Sequence, residues 1–269
     1  MNTIQVNNLH FSYTPGSSVL NGIDLELDQQ TTAIVGQNGA GKSTFVKLLK
    51  GLLYPTKGEI LFKGKNTRDY TAASLAKDIG LVFQNPNDQI FKNNVISEVM
   101  FGPLNIGQDD QEARHNAISA LKKVQLDDKL DTNPYDLSLS ERKMISIASI
   151  LAMNTNIVIF DEPTMGQDFA GKEKLKEIIW DLRDQGKLII CILHDMDFAA
   201  EVFERTIVFN QGNVLADGPS REVFKQKNIL QQAHLEQPSI TQIANELGLD
   251  GNYLTDEELI QALKEKMTS

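Results

Sequence analysis

Cysteine is nearly absent from this chain. Cys191 is the single one in 269 residues, so no intrachain disulfide can form. It sits inside Leu188-Ile189-Ile190-Cys191-Ile192-Leu193 and reads as a small hydrophobe packed in a strand. Long apolar runs are also missing, and none approaches the ~20 residues needed to cross a bilayer. Positive charge is in deficit, with 26 Lys and Arg against 36 Asp and Glu and a net charge of −10 at pH 7. That balance excludes a nucleic-acid surface, which needs a basic patch, and disfavours direct adhesion to anionic lipid. Any membrane association is therefore expected to run through a protein partner. The start, Met1-Asn2-Thr3-Ile4-Gln5, has neither a charged n-region nor an apolar h-region, so no secretory signal is expected and the chain reads as intracellular. Low-complexity segments and internal repeats are absent too. With 41% hydrophobic and 23% charged residues, the composition is that of an ordinary globular protein. The length suits one large α/β domain with a smaller appendage.

What is present is more specific. Gly36-Gln37-Asn38-Gly39-Ala40-Gly41-Lys42-Ser43 fits the phosphate-binding P-loop pattern without a mismatch. Thr32-Ala33-Ile34-Val35 before it reads as a short buried strand, and Thr44 to Lys50 after it has helical spacing. A strand that turns through glycines into a helix aims backbone N–H groups and a helix N-terminus at one point, which suits a polyphosphate. Gly36 to Thr44 are thus the expected nucleotide-binding residues. Lys42 reaches the β- and γ-phosphates in this pattern, and Ser43 ligates Mg²⁺. The pattern points to nucleotide binding without saying what the energy is used for.

The first ~30 residues alternate polar and apolar around Pro15-Gly16, which predicts an antiparallel β layer. Gly58 to Lys65 reads as a further hairpin, and Ile79 to Gln84 as a buried strand. From about Val95 to Ile150 the pattern is helical, with Gln111 to Val124 amphipathic. Short apolar runs return at Ile157 to Phe160, Leu188 to Leu193 and Thr206 to Phe209, with a helix over Gly171 to Gln185. This alternation is the βαβ pattern of a parallel sheet. Beyond Gly218-Pro219 the chain reads as polar and helical to its end. Ile157-Val158-Ile159-Phe160-Asp161-Glu162 delivers two acids to the carboxyl edge of that sheet, where ligands of α/β folds bind. There Asp161 holds the Mg²⁺ shell and Glu162 polarises the attacking water, or else the pair is simply an acidic turn after a strand.

With these motifs in this order, the chain resembles the ATP-binding-cassette (ABC) ATPases over nearly its whole length. The resemblance implies a P-loop NTPase fold with a RecA-like parallel sheet core, an antiparallel β layer, an inserted helical subdomain at about 95–150, and a C-terminal helical extension. The cassette would span residues 1–220 and the extension 221–269. It further implies that Tyr13 stacks on adenine, that Gln84 senses Mg²⁺ and the γ-phosphate, and that His194 is the switch histidine. Each has a plainer alternative: a β-layer aromatic, a surface glutamine, a structural histidine. Asp168, in Met165-Gly166-Gln167-Asp168, falls at the family's D-loop aspartate. The signature segment departs from the pattern. Where the family reads Leu-Ser-Gly-Gly-Gln, this chain reads Leu137-Ser138-Leu139-Ser140-Glu141, and Met144 replaces a later arginine. In the family this segment closes over ATP held by the partner's P-loop, so Leu139 and Glu141 predict a weakened site there. An intact P-loop, Asp161, Glu162 and His194 beside a poor signature predict a heterodimer with a second ABC ATPase.

Within that family, Phe83-Gln84-Asn85-Pro86-Asn87-Asp88-Gln89-Ile90-Phe91, then Val99-Met100-Phe101-Gly102-Pro103, is similar to the energizing subunits of energy-coupling-factor (ECF) transporters, importers of vitamins and some metal ions. So is the tail Leu254 to Leu263. The similarity implies a peripheral ATPase on the cytoplasmic side of the cell membrane. Asn85, Pro86, Asn87, Asp88, Gln89 and Phe91 would receive basic coupling helices of a membrane subunit, and a separate membrane subunit would bind substrate. An ordinary ABC importer fits the 85–91 segment and the extension less well. A soluble nucleotide-gated ABC module fits one cassette and the negative charge less well.

Overall fold

A computed structural model describes residues 3–249 and 251–268 of the chain. Met1, Asn2, Asp250 and Ser269, which belong to the terminal segments read above, lie outside the described residues. The chain opens with β1 (Ile4–Thr14) and β2 (Ser17–Leu27), a hairpin around Pro15-Gly16. Then come β3 (Thr31–Gly36), α1 (Lys42–Leu49), β4 (Lys57–Phe62), β5 (Lys65–Asn66), α2 (Ala72–Leu75) and β6 (Ile79–Val82). A helical block follows: α3 (Val95–Ile106), α4 (Asp110–Lys123) and α5 (Leu139–Met153). The chain returns to the sheet through β7 (Ile157–Asp161), α6 (Phe169–Asp184), β8 (Leu188–Leu193), α7 (Met196–Val202), β9 (Arg205–Asn210) and β10 (Asn213–Pro219). It ends in α8 (Ser220–Lys225), α9 (Lys227–Gln232), α10 (Ser239–Glu246) and α11 (Asp256–Thr268). Among the described residues no helix is long and apolar enough to cross a membrane.

The strands make two sheets among the described residues, an antiparallel one in the order β2-β1-β4-β5 and a larger one in the order β10-β9-β3-β8-β7-β6. In the larger sheet β9, β3, β8, β7 and β6 run parallel. β3, β7 and β8 are buried along their whole length, as expected where both faces of a parallel sheet are covered. The side-chain period of two divides them between two cores. Val158, Phe160, Ile189, Cys191 and Leu193 pack towards α3 to α8. Ile157, Ile159, Leu188, Ile190 and Ile192 pack towards α1 and the antiparallel layer. The strand ends are thereby fixed at one edge, because parallel register sets Asp161 beside Ile192 and Val35 beside Leu193.

The architecture matches the α/β expectation, with two additions. The segment Asn213–Pro219 is a strand, antiparallel to β9, for which the sequence pattern carries no assignment. Its residues are mostly half-exposed and the patterning signal is weak. The turn does carry a signal: Gln211 and Gly212 both have left-handed φ, +46° and +78°, as a two-residue hairpin requires. The short helix α7, capped by Asp195, is the second addition. The strand expected to run to Gln84 ends at Val82, which frees Phe83 and Gln84 from the ladder.

Gly36 ends β3 at φ +154°, where a Cβ would stand 2.3 Å from the Phe209 carbonyl oxygen. Gly41, at φ +100°, would drive a Cβ to 2.6 Å from Leu20 Cδ2. The turn into α1 is thus pressed against β9 and β2, and only glycine fits. Gly36→Ala is expected to cost about 1–3 kcal/mol of stability through overpacking. Gly218→Ala, where a Cβ meets nothing within 4 Å, is expected to stay within about 0.5 kcal/mol. Thermal denaturation of both variants checks the contrast, and equal losses would contradict it.

Candidate active site

The carboxyl edge of the parallel sheet gathers side chains that lie far apart in sequence. The loop from Gly36 to Gly41 curls into a cradle closed by Ala40 N–H donating to the Gln37 carbonyl at 3.2 Å. Lys42 is buried at its base, where its Nζ donates to the carbonyls of Gly36 (2.7 Å) and Gln37 (2.9 Å). Burial lowers its pKa, against the opposite pull of Glu162 and Asp161. Ser43 Oγ donates to Asp161 Oδ1 at 3.2 Å, so the hydroxyl that opens α1 and the acid that ends β7 share one point. Burial raises the pKa of Asp161, and the Ser43 hydrogen bond works against the rise. Two hard oxygen donors beside a buried carboxylate suit Mg²⁺, which favours oxygen ligands and takes others from phosphate and water. Tyr13 stands at the rim, 58% exposed, with its hydroxyl 3.2 Å from Thr44 Oγ1 and its ring edge-on to Phe11.

Glu162 follows β7 immediately and is buried. Its φ of +49° is left-handed, uncommon for a residue with a Cβ, and its N–H donates to the Ile192 carbonyl of β8 at 3.1 Å. That tight turn sets both carboxylate oxygens between two neighbours. Gln84 Nε2 donates to Oε2 at 2.7 Å, and His194 Nε2 lies 2.8 Å from Oε1. Gln84 comes from the end of β6 and His194 from the end of β8, so the group spans three adjacent strands. A carboxylate held this way, beside a phosphate cradle, can orient and polarise a water.

The signature segment is placed at the start of α5. Ser138 caps that helix and forms a capping box with Glu141. Glu141 Oε2 accepts from Ser138 N–H (2.9 Å) and Oγ (2.7 Å), which holds its carboxyl below the usual carboxylate range. The charge of Glu141 is thus folded back on its own helix start. Leu139 is exposed and lies against Gly166, and Ser140 Oγ donates to Gln167 Oε1 at 2.9 Å. Asp168 caps α6, accepting from Gly171 N–H at 2.8 Å. Signature and D-loop therefore meet within one chain. Met144 is buried in the helical-side core.

The turn after Gln84 is split between inside and outside. Asn85 caps a single 3₁₀ turn over Pro86–Asp88, and Asn85, Asn87, Asp88 and Phe91 are exposed. Pro86 is buried, and Gln89 turns inward to accept from Phe83 N–H (3.1 Å) and donate to the Ser146 carbonyl (3.0 Å). Asn87 Oδ1 accepts from Arg142 Nη1 at 2.8 Å. Beside the turn lies an apolar groove of about 350 Å³, lined by Leu52, Phe83, Phe91, Phe101, Ile106 and Met153 among others. Phe91 and Phe101 meet edge-to-face at 4.7 Å, with Lys92 Nζ about 5 Å from both rings. Leu52, Ile106 and Met153 were not singled out from sequence as part of a site. Leu52 lies in the turn after α1, Ile106 ends α3 and Met153 ends α5, so no single period marks them as one surface.

The family model described as "ABC transporter" matches residues 20–165, more than half of the chain. The energy-coupling factor transporter ATP-binding protein EcfA of Methanocaldococcus jannaschii is 37% identical over 256 residues, covering 94% of this chain and 91% of that protein. Among solved structures, cbiO1 from Clostridium perfringens, described as part of the ABC transporter complex cbiONQ, superposes with a TM-score of 0.77 at 30% identity. That match covers 93% of this chain and 100% of the other. The ATP-binding cassette MJ0796, solved as a dimer bound to ADP and Pi, gives 0.74 at 26% identity, covering 81% and 98%. The phosphate cradle, the strand-end carboxylates and the helical block between them therefore have one common origin, and the chain belongs to the ABC transporter family as an ATP-binding, ATP-hydrolysing cassette.

Proposed function

We propose that this chain powers an ECF-type importer from the cytoplasmic face of the membrane, as one of two different ATPase subunits bound to a membrane coupling subunit, with substrate held by a separate membrane subunit. The observation that carries its catalytic part is the Glu162 carboxylate held by Gln84 and His194 beside the Ser43–Asp161 pair. The ECF assignment is supported by the relative named EcfA, by the cbiO1 neighbour and by the apolar groove behind the 85–91 turn. Asp88, exposed on that turn, suits a basic coupling helix.

In this reading Lys42 and the loop N–H groups hold the terminal phosphates of ATP, and Tyr13 packs on the base. Ser43, Asp161 and Gln84 would hold Mg²⁺, which would offset the negative charge of the phosphates. Glu162, as a carboxylate, orients the water and draws on its proton. His194, whose Nε2 carries the proton when it faces that carboxylate, keeps the side chain aimed and faces the γ-phosphate. Little of the barrier is covalent chemistry, so positioning carries the rate.

The signature accounts for two different subunits. Leu139 puts a branched side chain where a bare backbone would approach the partner's γ-phosphate. In a homodimer both sites would suffer. In a heterodimer the defect is confined to the site over the partner's P-loop.

Three outcomes follow from these assignments. Glu162→Gln leaves ATP binding intact and lowers turnover of the assembled complex by about 10²–10⁴-fold, the usual weight of a general base. Near-normal ATPase activity would contradict the role. Asp88→Lys reduces pull-down of the membrane subunit at low salt and spares ATP binding, and an unchanged yield at low salt would remove Asp88 from the dock. Mass analysis of the complex purified from membranes finds one copy of this chain beside a second ATPase, and Leu139→Gly with Ser140→Gly raises turnover at the partner's site. Two copies of this polypeptide with full activity would overturn the heterodimer.

A further inference from the structure

Lys143 is nine-tenths buried and more, at 2% exposure, yet it carries an ammonium group. A buried cation needs hydrogen-bond partners, and those of Lys143 are specific. Its Nζ donates to the carbonyls of Phe83 (3.1 Å) and Gln84. These are the first two residues after β6, whose pairing with β7 ends at Val82 and Phe160. Beyond that point their carbonyls have lost the sheet ladder and require donors from elsewhere. The N–H of Phe83 is taken by Gln89 Oε1, and Gln89 Nε2 in turn donates to the Ser146 carbonyl, one turn further along α5. The backbone that presents Gln84 is thus held from α5 at both Lys143 and Ser146. Burial lowers the pKa of Lys143 to about 8, and Asp161 and Glu162 are the acidic neighbours that work against the fall.

We propose that Lys143 is a positioning residue for hydrolysis: its buried ammonium fixes the Gln84 backbone so that Gln84 Nε2 meets Glu162 Oε2, tying the water-activating carboxylate to the helix that begins at Ser138. The proposal rests on the reading of Gln84 and Glu162 given above. A purely structural role predicts a different pattern, a fall in stability with kcat per folded complex unchanged, because removing the donor leaves two carbonyls without their partner.

The test uses the intact complex with Lys143→Met, Lys143→Gln, Gln84→Ala and the Lys143→Met/Gln84→Ala pair. Lys143→Met is expected to lower kcat per folded complex about 10- to 100-fold, the range of one charge-assisted hydrogen bond, with ATP affinity held and Tm lowered. Lys143→Gln, which keeps an N–H donor and guards against misfolding of the first variant, is expected to recover part of kcat. In the Gln84→Ala background Lys143→Met should add little, since both act through one contact. A lower Tm with kcat per folded complex unchanged, or a loss of ATP affinity at constant kcat, would overturn the proposal. So would the same loss in both backgrounds, with the role of Gln84 left standing. Full kcat in Gln84→Ala alone would instead remove the reading of Gln84 on which the proposal rests.

Discussion

Where β6, β7 and β8 end, the candidate site depends on one carboxylate being held from two sides. Glu162 sits on a left-handed turn after β7, with Gln84 Nε2 on one oxygen and His194 Nε2 on the other. Those three residues leave β6, β7 and β8, which are hydrogen-bonded neighbours. A register slip in either pair would carry one partner away and flip the strand's buried side chains to the wrong core. The double burial of β7 and β8 is what forbids the slip. The packing of Phe160 and Ile159 on opposite faces is therefore part of the catalytic geometry, although neither touches the site.

The same logic separates what this chain does for itself from what it offers a partner. The cradle, Ser43, Asp161, Glu162 and His194 lie together on one edge. The signature stands on α5, closed on itself through the Ser138–Glu141 capping box and against Gly166 and Gln167. A capping box satisfies helix N–H groups and neutralises nothing outside the helix start. Together with the Leu139 side chain, it is the basis for proposing that this helix end is a poor anion site. The asymmetry between a complete cradle and an altered signature is written into one sequence, and the proposed pairing of unlike subunits is its simplest use.

Much of the fold was legible because its signals were local. The P-loop glycines, the period-two layer before them and the apolar runs at Ile157 to Phe160 and Leu188 to Leu193 each state their own structure. β10 was missed because Asn213 to Pro219 mixes polar and small residues, as an edge strand permits, and its turn signal at Gln211-Gly212 went unread. In the site, residue types were legible while their contacts were not. The Ser138-x-x-Glu141 spacing does carry a capping-box signal for the bend of Glu141 back to Ser138. Nothing in the sequence says that Gln89 points inward while Asp88 faces out, or that a lysine two residues beyond the signature holds the backbone of Gln84. Leu52, Phe101, Ile106 and Met153 share a groove only because the sheet edge and the helical block are brought side by side. Such contacts bridge tens of residues, and a period or spacing rule cannot reach them.

The central claim is that hydrolysis takes place at this chain's own cradle. The most direct measurement is to trap the transporter complex with ATP, Mg²⁺ and vanadate, using a photoreactive nucleotide, and to identify which ATPase chain is labelled. The account predicts label on this chain, lost in a Glu162→Gln complex. Trapping confined to the partner's P-loop would contradict it.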